Sequence, residues 1–181
     1  LKASRGSWLS NMPEGLQIVS WNVEGLTDSK CETIKELMIT QGWHIVCMQE
    51  IWKLDADYWT DDDGFLFILS GSRQHEVQNN RPREGVGFMI HPSVAKCIIG
   101  FCPHSNRMAA LRFKISGGPC GLVNIYVPHE KYPLEERIQF YRNLEDFSKL
   151  IKVYGPIIYC GNFNARLREQ LPGEEIIIGT E

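Results

Sequence analysis

Between Leu16 and Glu50 the chain passes through an apolar run, an amphipathic stretch and a second apolar run: "LQIVSW", "SKCETIKELMITQ" and "WHIVCMQE". Short apolar runs rich in β-branched residues favour strands. The middle stretch places Ile34, Leu37 and Met38 at helical spacing, and Ser29 with Glu32 stands in capping-box register. Two strands joined by a helix of this length pair in parallel, because the crossover returns the second strand in the direction of the first. That unit commits the chain to a layered α/β architecture.

The remainder extends the pattern. "GVGFMIH", "VAKCIIGF", "RMAALRFKI" and "CGLVNIYV" read as four strands of a meander, separated by "PS", "PHSN" and "SGGP" turns. "PLEERIQFYRNLEDFSKLIK" then predicts a long helix with Leu134, Ile138, Tyr141, Leu144 and Ile151 on one face and Pro133 in its first turn. It leads into a last strand, "PIIYC". "HEVQNNRPRE" is polar enough for a mobile loop. With 181 residues, 43% of them hydrophobic, the chain fills one core and is too short for two ordinary domains. The expected division is an N-terminal extension over 1–15 and one domain over 16–181. No apolar run approaches the roughly 20 residues of a membrane span, and none near the N-terminus suits a signal peptide. The expectation is a soluble, intracellular protein. The first residue, Leu1, suggests a piece of a longer reading frame.

The six cysteines mostly sit inside apolar runs and form no CxxC pair, which favours reduced thiols over disulfides or structural zinc. His44 and His91 fall at strand edges, where structural roles are expected. The net charge is −3 but unevenly spread: residues 73–114 hold seven Lys and Arg against two Asp and Glu. That segment, with Arg73, Arg81, Arg83, Arg107 and Lys114, is either a solvated face or a phosphate-facing edge.

In layered α/β folds the polar residues that act together come from loops at strand ends. Three places qualify: Asn22 after the first strand, Glu50 after "IVCMQ", and Asn162 with Asn164 after "IIYCG". A carboxylate directly after a buried strand needs a cation or donors beside it. Alone, Glu50 reads as a salt-bridge partner and Asn22 as a turn residue. The loop "GNFNARL" offers two amides, which donate and accept hydrogen bonds but cannot carry a proton away.

Taken in order, "SWNVEGL", "CMQEIWK", "GVGFMI", "NIYVPH" and "GNFNARL" resemble the endonuclease/exonuclease/phosphatase superfamily from about Leu16 to Arg166. The strand "RMAALRFKI" feeding "LVNIYVPHE" is most similar to the branch of non-LTR retrotransposon endonuclease domains. The resemblance implies a four-layer α/β sandwich of two packed mixed sheets with outer helices, and phosphodiester hydrolysis with Mg²⁺, or Mn²⁺ in its place. It implies a metal held by Glu50 with Asn22, an aromatic residue near the scissile phosphate at Tyr126, and a phosphate- or water-positioning amide at Asn164. DNA is the implied partner, with Arg107 and Lys114 as candidate contacts, and a retrotransposon origin implies a nuclear setting.

Two departures stand out. The family pattern Gly-Asp-Phe-Asn is here Gly161-Asn162-Phe163-Asn164, so the group that handles a proton is an amide of the same shape. The family's C-terminal aspartate and histidine have no counterpart, since the 17 residues after Asn164 contain neither. The strands that would carry them are expected to be missing, leaving a sheet edge open. The expected function is a DNA-nicking endonuclease domain that is weak or inactive in this form. The alternatives are a non-catalytic nucleic-acid-binding remnant and a lipid or inositol-phosphate hydrolase of the same fold.

Overall fold

The computed structural model describes residues 15–77, 82–115, 118–151 and 155–165. Residues 1–14, Arg81 with the centre of the "HEVQNNRPRE" segment, and Arg166 onward lie outside these. The elements are β1 (Ile18–Asn22), α1 (Asp28–Gln41), β2 (Ile45–Gln49), β3 (Ala56–Thr60), β4 (Leu66–Ser70), β5 (Val86–Ile90), α2 (Pro92–Ala95), β6 (Ile98–Ser105), β7 (Met108–Ile115), β8 (Gly118–Tyr126), α3 (Leu134–Leu150) and β9 (Ile157–Asn162). They form two mixed sheets, in strand orders β1-β2-β5-β4-β3 and β6-β7-β8-β9.

Alternation along the strands builds four layers. Ile45, Cys47, Phe88 and Ile90 of the first sheet face Leu111, Phe113, Cys120 and Leu122 of the second. The opposite faces carry Val46, Met48 and Met89 against Ile34 and Met38 of α1, and Ala110, Val123 and Ile125 against Phe140 and Phe147 of α3. Central strands buried on both faces read as continuous apolar runs, which is why "IVCMQ" and "GLVNIY" show no clean polar alternation. The four-layer sandwich expected from the resemblance is the observed fold.

Several local features differ from the sequence reading. The N-cap of α1 is Thr27, whose hydroxyl accepts from the Lys30 N–H at 3.3 Å, so the box at Ser29 and Glu32 does not form. The four-strand meander is split: β5 belongs to the first sheet, a short helix replaces the start of "VAKCIIGF", and only β6, β7 and β8 run on as a meander. On α3, Leu134, Ile138 and Tyr141 are exposed, and the buried stripe is Phe140, Leu144, Phe147 and Ile151. Both stripes have helical spacing, and the one with two phenylalanines removes more apolar area from water. Pro133 sits at the N-cap, one residue before the first turn. The hairpin of β3 and β4 has no counterpart in that reading, because "ADYWT" is exposed along its whole length and shows no apolar face.

Two parallel pairs organise the molecule. In β1 and β2, Asn22 lies opposite Gln49; in β8 and β9, Tyr126 lies opposite Asn162. Among the described residues β1 and β9 each stand at one edge of their sheet, and they pack on one another. The sheets are bolted together by Asn124, which is fully buried. Its Nδ2 donates to the Met48 and Gly87 carbonyls, and its Oδ1 accepts from Gln49 Nε2, each at 2.8 Å.

Asn124→Ala leaves the Met48 and Gly87 carbonyls and the Gln49 amide without this buried partner, so it should cost on the order of 3 kcal/mol in urea unfolding. His44 and His91 supply a pH dependence. His44 Nδ1 accepts from the Gln17 N–H at 3.0 Å, and His91 Nδ1 accepts from the Ser93 N–H at 3.1 Å. Burial holds both imidazoles below the usual histidine range, with each other's proximity adding to this at His44. The folded state therefore binds fewer protons than the unfolded one as pH falls through the ordinary histidine range, and stability falls with it. Thermal melts should show a lower melting temperature at pH 5 than at pH 7. His91→Asn, which keeps a capping acceptor without the titration, should shrink that drop.

Candidate active site

The C-terminal ends of both parallel pairs converge on Glu50. The loop after β1 is zipped to the loop after β2 by hydrogen bonds from Val23 N to Gln49 O (2.9 Å), Gly25 N to Glu50 O (2.7 Å) and Leu26 N to Ile51 O (2.9 Å). This zipper holds Glu24, Glu50 and Trp52 at φ of 45°, 54° and 55°. Such left-handed conformations are costly for residues other than glycine and persist only where the surroundings over-determine them.

Glu50 Oε1 accepts from Asn22 Nδ2 and from the Tyr126 hydroxyl, both at 2.8 Å. Burial, reinforced by the bond to Glu50, pushes the Tyr126 phenol well above its usual range, so it stays protonated and donates. Asn22 turns its nitrogen to Glu50 and its oxygen to the Glu24 N–H at 3.2 Å. The structure thus brings Asn22 to Glu50 as a donor that steadies the carboxylate.

Tyr126 is itself braced. The Arg107 guanidinium lies 5.1 Å from its ring centroid and 4.9 Å from that of Tyr132. It pairs with Glu84 and donates to the Tyr126 carbonyl at 3.4 Å, while the Tyr132 hydroxyl also reaches Glu84 at 3.4 Å. Arg107 is therefore committed to this brace, with its side chain only 14% exposed. Lys114 lies opposite Pro119, at the other end of the β7–β8 ladder from Tyr126. The fold does not bring the two expected nucleic-acid contacts together.

Asn162 follows the same register to a place beside Tyr126. Its carbonyl accepts from the Val127 N–H and its side-chain oxygen from the Asn164 N–H, both at 2.9 Å. Asn164, at φ 46°, donates its side-chain N–H to the Val127 carbonyl. Both amides shape the loop. Gly161 lets it lie this close: at φ 143° a Cβ would stand 2.0 Å from the Ile125 carbonyl oxygen.

Glu50 and Tyr126 open onto a cavity of about 780 Å³ whose other walls include Trp52, Arg83, Glu84, His129 and Tyr132. Motif reading passed over Trp52, Glu84, His129 and Tyr132. The strand-end rule would have found two of them, since Trp52 lies two residues beyond Glu50 and His129 three beyond Tyr126. His129 Nδ1 accepts from the Lys131 N–H at 3.2 Å, and its ring packs edge-on against Tyr132. Among the described residues no group of three His, Cys, Asp or Glu side chains could hold a metal ion. Glu50 Oε2 accepts no hydrogen bond from the described residues, however, and one carboxylate oxygen with several waters is an anchor that magnesium accepts.

Comparison with solved structures returns the same architecture. A Neisseria 3′ phosphatase, NExo, bound to a product DNA hairpin superposes with a TM-score of 0.58 at 20% identity, over 83% of this chain and 58% of that one. D. rerio TDP2 complexed with a single-strand DNA product gives 0.58 at 16%, over 83% and 61%. The endonuclease domain of TRAS1, a telomere-specific non-LTR retrotransposon, gives 0.55 at 12%, over 83% and 61%. The chain thus spans about 60% of the length of these neighbours. No curated protein sequence matches it. The family model of the endonuclease/exonuclease/phosphatase group matches residues 19–172, a span that takes in Asn22, Glu50, Tyr126 and the Asn162 loop, and the chain belongs to that family.

Proposed function

We propose that this chain is a phosphodiester-cleaving domain of the DNA-nicking, retrotransposon type, whose chemistry is weak in the present form. One observation carries the reading: Glu50 of one sheet and Tyr126 of the other meet at 2.8 Å where both parallel pairs end, in a cavity open to a large ligand. DNA products in the NExo and TDP2 neighbours, and the retrotransposon origin of TRAS1, support DNA as the substrate. A nuclear setting follows if the source is a retrotransposon.

Glu50 Oε2 is the atom that would hold Mg²⁺, with Asn22 and Tyr126 fixing the carboxylate's angle from its other oxygen. A bound divalent ion would supply charge neutralisation at the phosphate and leaving oxygen. Tyr126 keeps its proton and acts as a donor. Asn162 occupies the place beside Tyr126 where a carboxylate would accept a proton from water, and its amide cannot. This is the observation that favours weak cleavage, with binding preserved.

The metal assignment is checked by water-proton relaxation during Mn²⁺ titration. The wild-type chain should show weak, saturable enhancement that Glu50→Gln removes; equal enhancement in both would move the ion elsewhere. Cleavage is checked by plasmid nicking in Mg²⁺, with Asn or Asp at position 162 and with or without a C-terminal extension supplying an Asp-His pair. Groups of this kind are each worth on the order of 10²–10³ in rate and act as a unit. Strong nicking is expected only when both are present, and robust nicking by the 181-residue chain would contradict the proposed role of Asn162.

A further inference from the structure

Trp52 is placed differently from the other described tryptophans. Trp21 packs edge-on against Trp43 with 6.3 Å between ring centroids, and Trp59 stacks on Phe67 at 4.8 Å. Among the described residues Trp52 pairs with no aromatic ring, and 42% of its surface is exposed. It lines the cavity onto which Glu50 and Tyr126 open. A lone exposed tryptophan is ordinary on a protein surface. This one is held at φ 55°, a backbone that bulky residues avoid, two positions beyond Glu50.

Its neighbours fix its position. The Trp52 N–H donates to the Glu84 carbonyl at 2.9 Å, and the preceding Ile51 is fully buried with its N–H on the Gly85 carbonyl at 3.2 Å. The indole lies against Gly25, where a Cβ would stand 2.6 Å from Trp52 Cε3, so glycine at φ 88° is what leaves room for the ring. The Glu84 carboxylate also takes the Arg107 guanidinium and, at 3.4 Å, the Tyr132 hydroxyl. One residue therefore holds Trp52 by its backbone and Tyr132 by its side chain, and with them two aromatic walls of one cavity. The Tyr132 ring is already engaged by Arg107 at 4.9 Å and by His129 edge-on at 4.6 Å. Trp52 is the wall with ring surface left for a ligand.

Resting on the reading of the chain as a DNA-cleaving domain, we propose that Trp52 is the stacking platform for one unpaired nucleobase beside the phosphate bound at Glu50 and Tyr126. The preferred substrate is then DNA with a base out of its stack. A cavity of about 780 Å³ is of a size that takes a nucleotide. A base inside a duplex lies between its neighbours and offers the indole no face until it is displaced. Stacking tolerates any base, because each has a π face, so the selection is for an unpaired base and not for a particular one. Arg83, exposed on the same cavity, offers a cation to the flanking backbone.

The test measures binding of the 181-residue chain, by fluorescence anisotropy in Ca²⁺, to a fully paired DNA hairpin and to the same hairpin carrying one bulged adenine. The wild-type chain should bind the bulged hairpin about tenfold more tightly, the scale of one base stacked on an aromatic side chain. Trp52→Phe should keep most of that preference. Trp52→Asn, whose side chain tolerates the left-handed backbone, should bind both hairpins alike, with affinity for the paired one unchanged and circular dichroism as for wild type. With 2-aminopurine as the bulged base, the wild-type complex should be dimmer than the Trp52→Asn complex, a readout that lost packing alone would not produce. Equal wild-type affinity for the two hairpins, a preference retained in Trp52→Asn, or an equal loss on both hairpins would overturn the stacking role and leave the DNA reading standing. Binding of neither hairpin by the wild-type chain would overturn the DNA reading and this inference with it.

Discussion

The hydrogen bond between Gln49 and Asn124 sets the geometry on which the rest depends. It joins the two sheets one residue below Glu50 on β2 and two below Tyr126 on β8. The side-chain period of a strand is two, so a slip of one residue would turn Asn124 away from the interior and face its neighbours inward. An apolar residue could fill the space but could not choose the register. Asn124 chooses it by demanding two specific carbonyls and one amide. The contact between Glu50 and Tyr126 is the visible outcome of that choice, and it links the ends of strands from the two sheets.

How far the sequence revealed this differs from element to element. The parallel unit of β1, α1 and β2 was readable because its crossover helix and buried strands leave distinct periodicities. The hairpin of β3 and β4 was not, since it is fixed by remote partners. Lys35 of α1 reaches Asp61 and Asp63 in its turn at 3.0 and 2.8 Å, and no local pattern encodes a contact 26 residues away. The α3 face was misjudged because two stripes share helical spacing and only the facing sheet decides between them.

The site shows the same division. Asn22, Glu50 and Asn162 were readable as strand-end groups because strand ends are local features, and Tyr126 through the family resemblance; the fold brings Asn22 and Tyr126 to Glu50 and sets Asn162 opposite Tyr126 in the ladder. Their orientations were not legible. Whether Asn22 offers oxygen or nitrogen depends on the Glu24 N–H, and whether Arg107 is available to a phosphate depends on Glu84 and two tyrosine rings. Counting charge over residues 73–114 treated Arg107 and Lys114 as equivalent. The ladder places them at opposite ends of one strand, with one of them committed to a brace.

The left-handed backbone at Glu50 has an evolutionary reading. Glycine or asparagine would adopt that φ more readily than glutamate, so the position keeps its carboxylate against its own conformational preference. Gains in folding stability are close at hand there, and each is taken from the site. In a lineage released from selection for cleavage, position 50 is where drift and stability pull the same way.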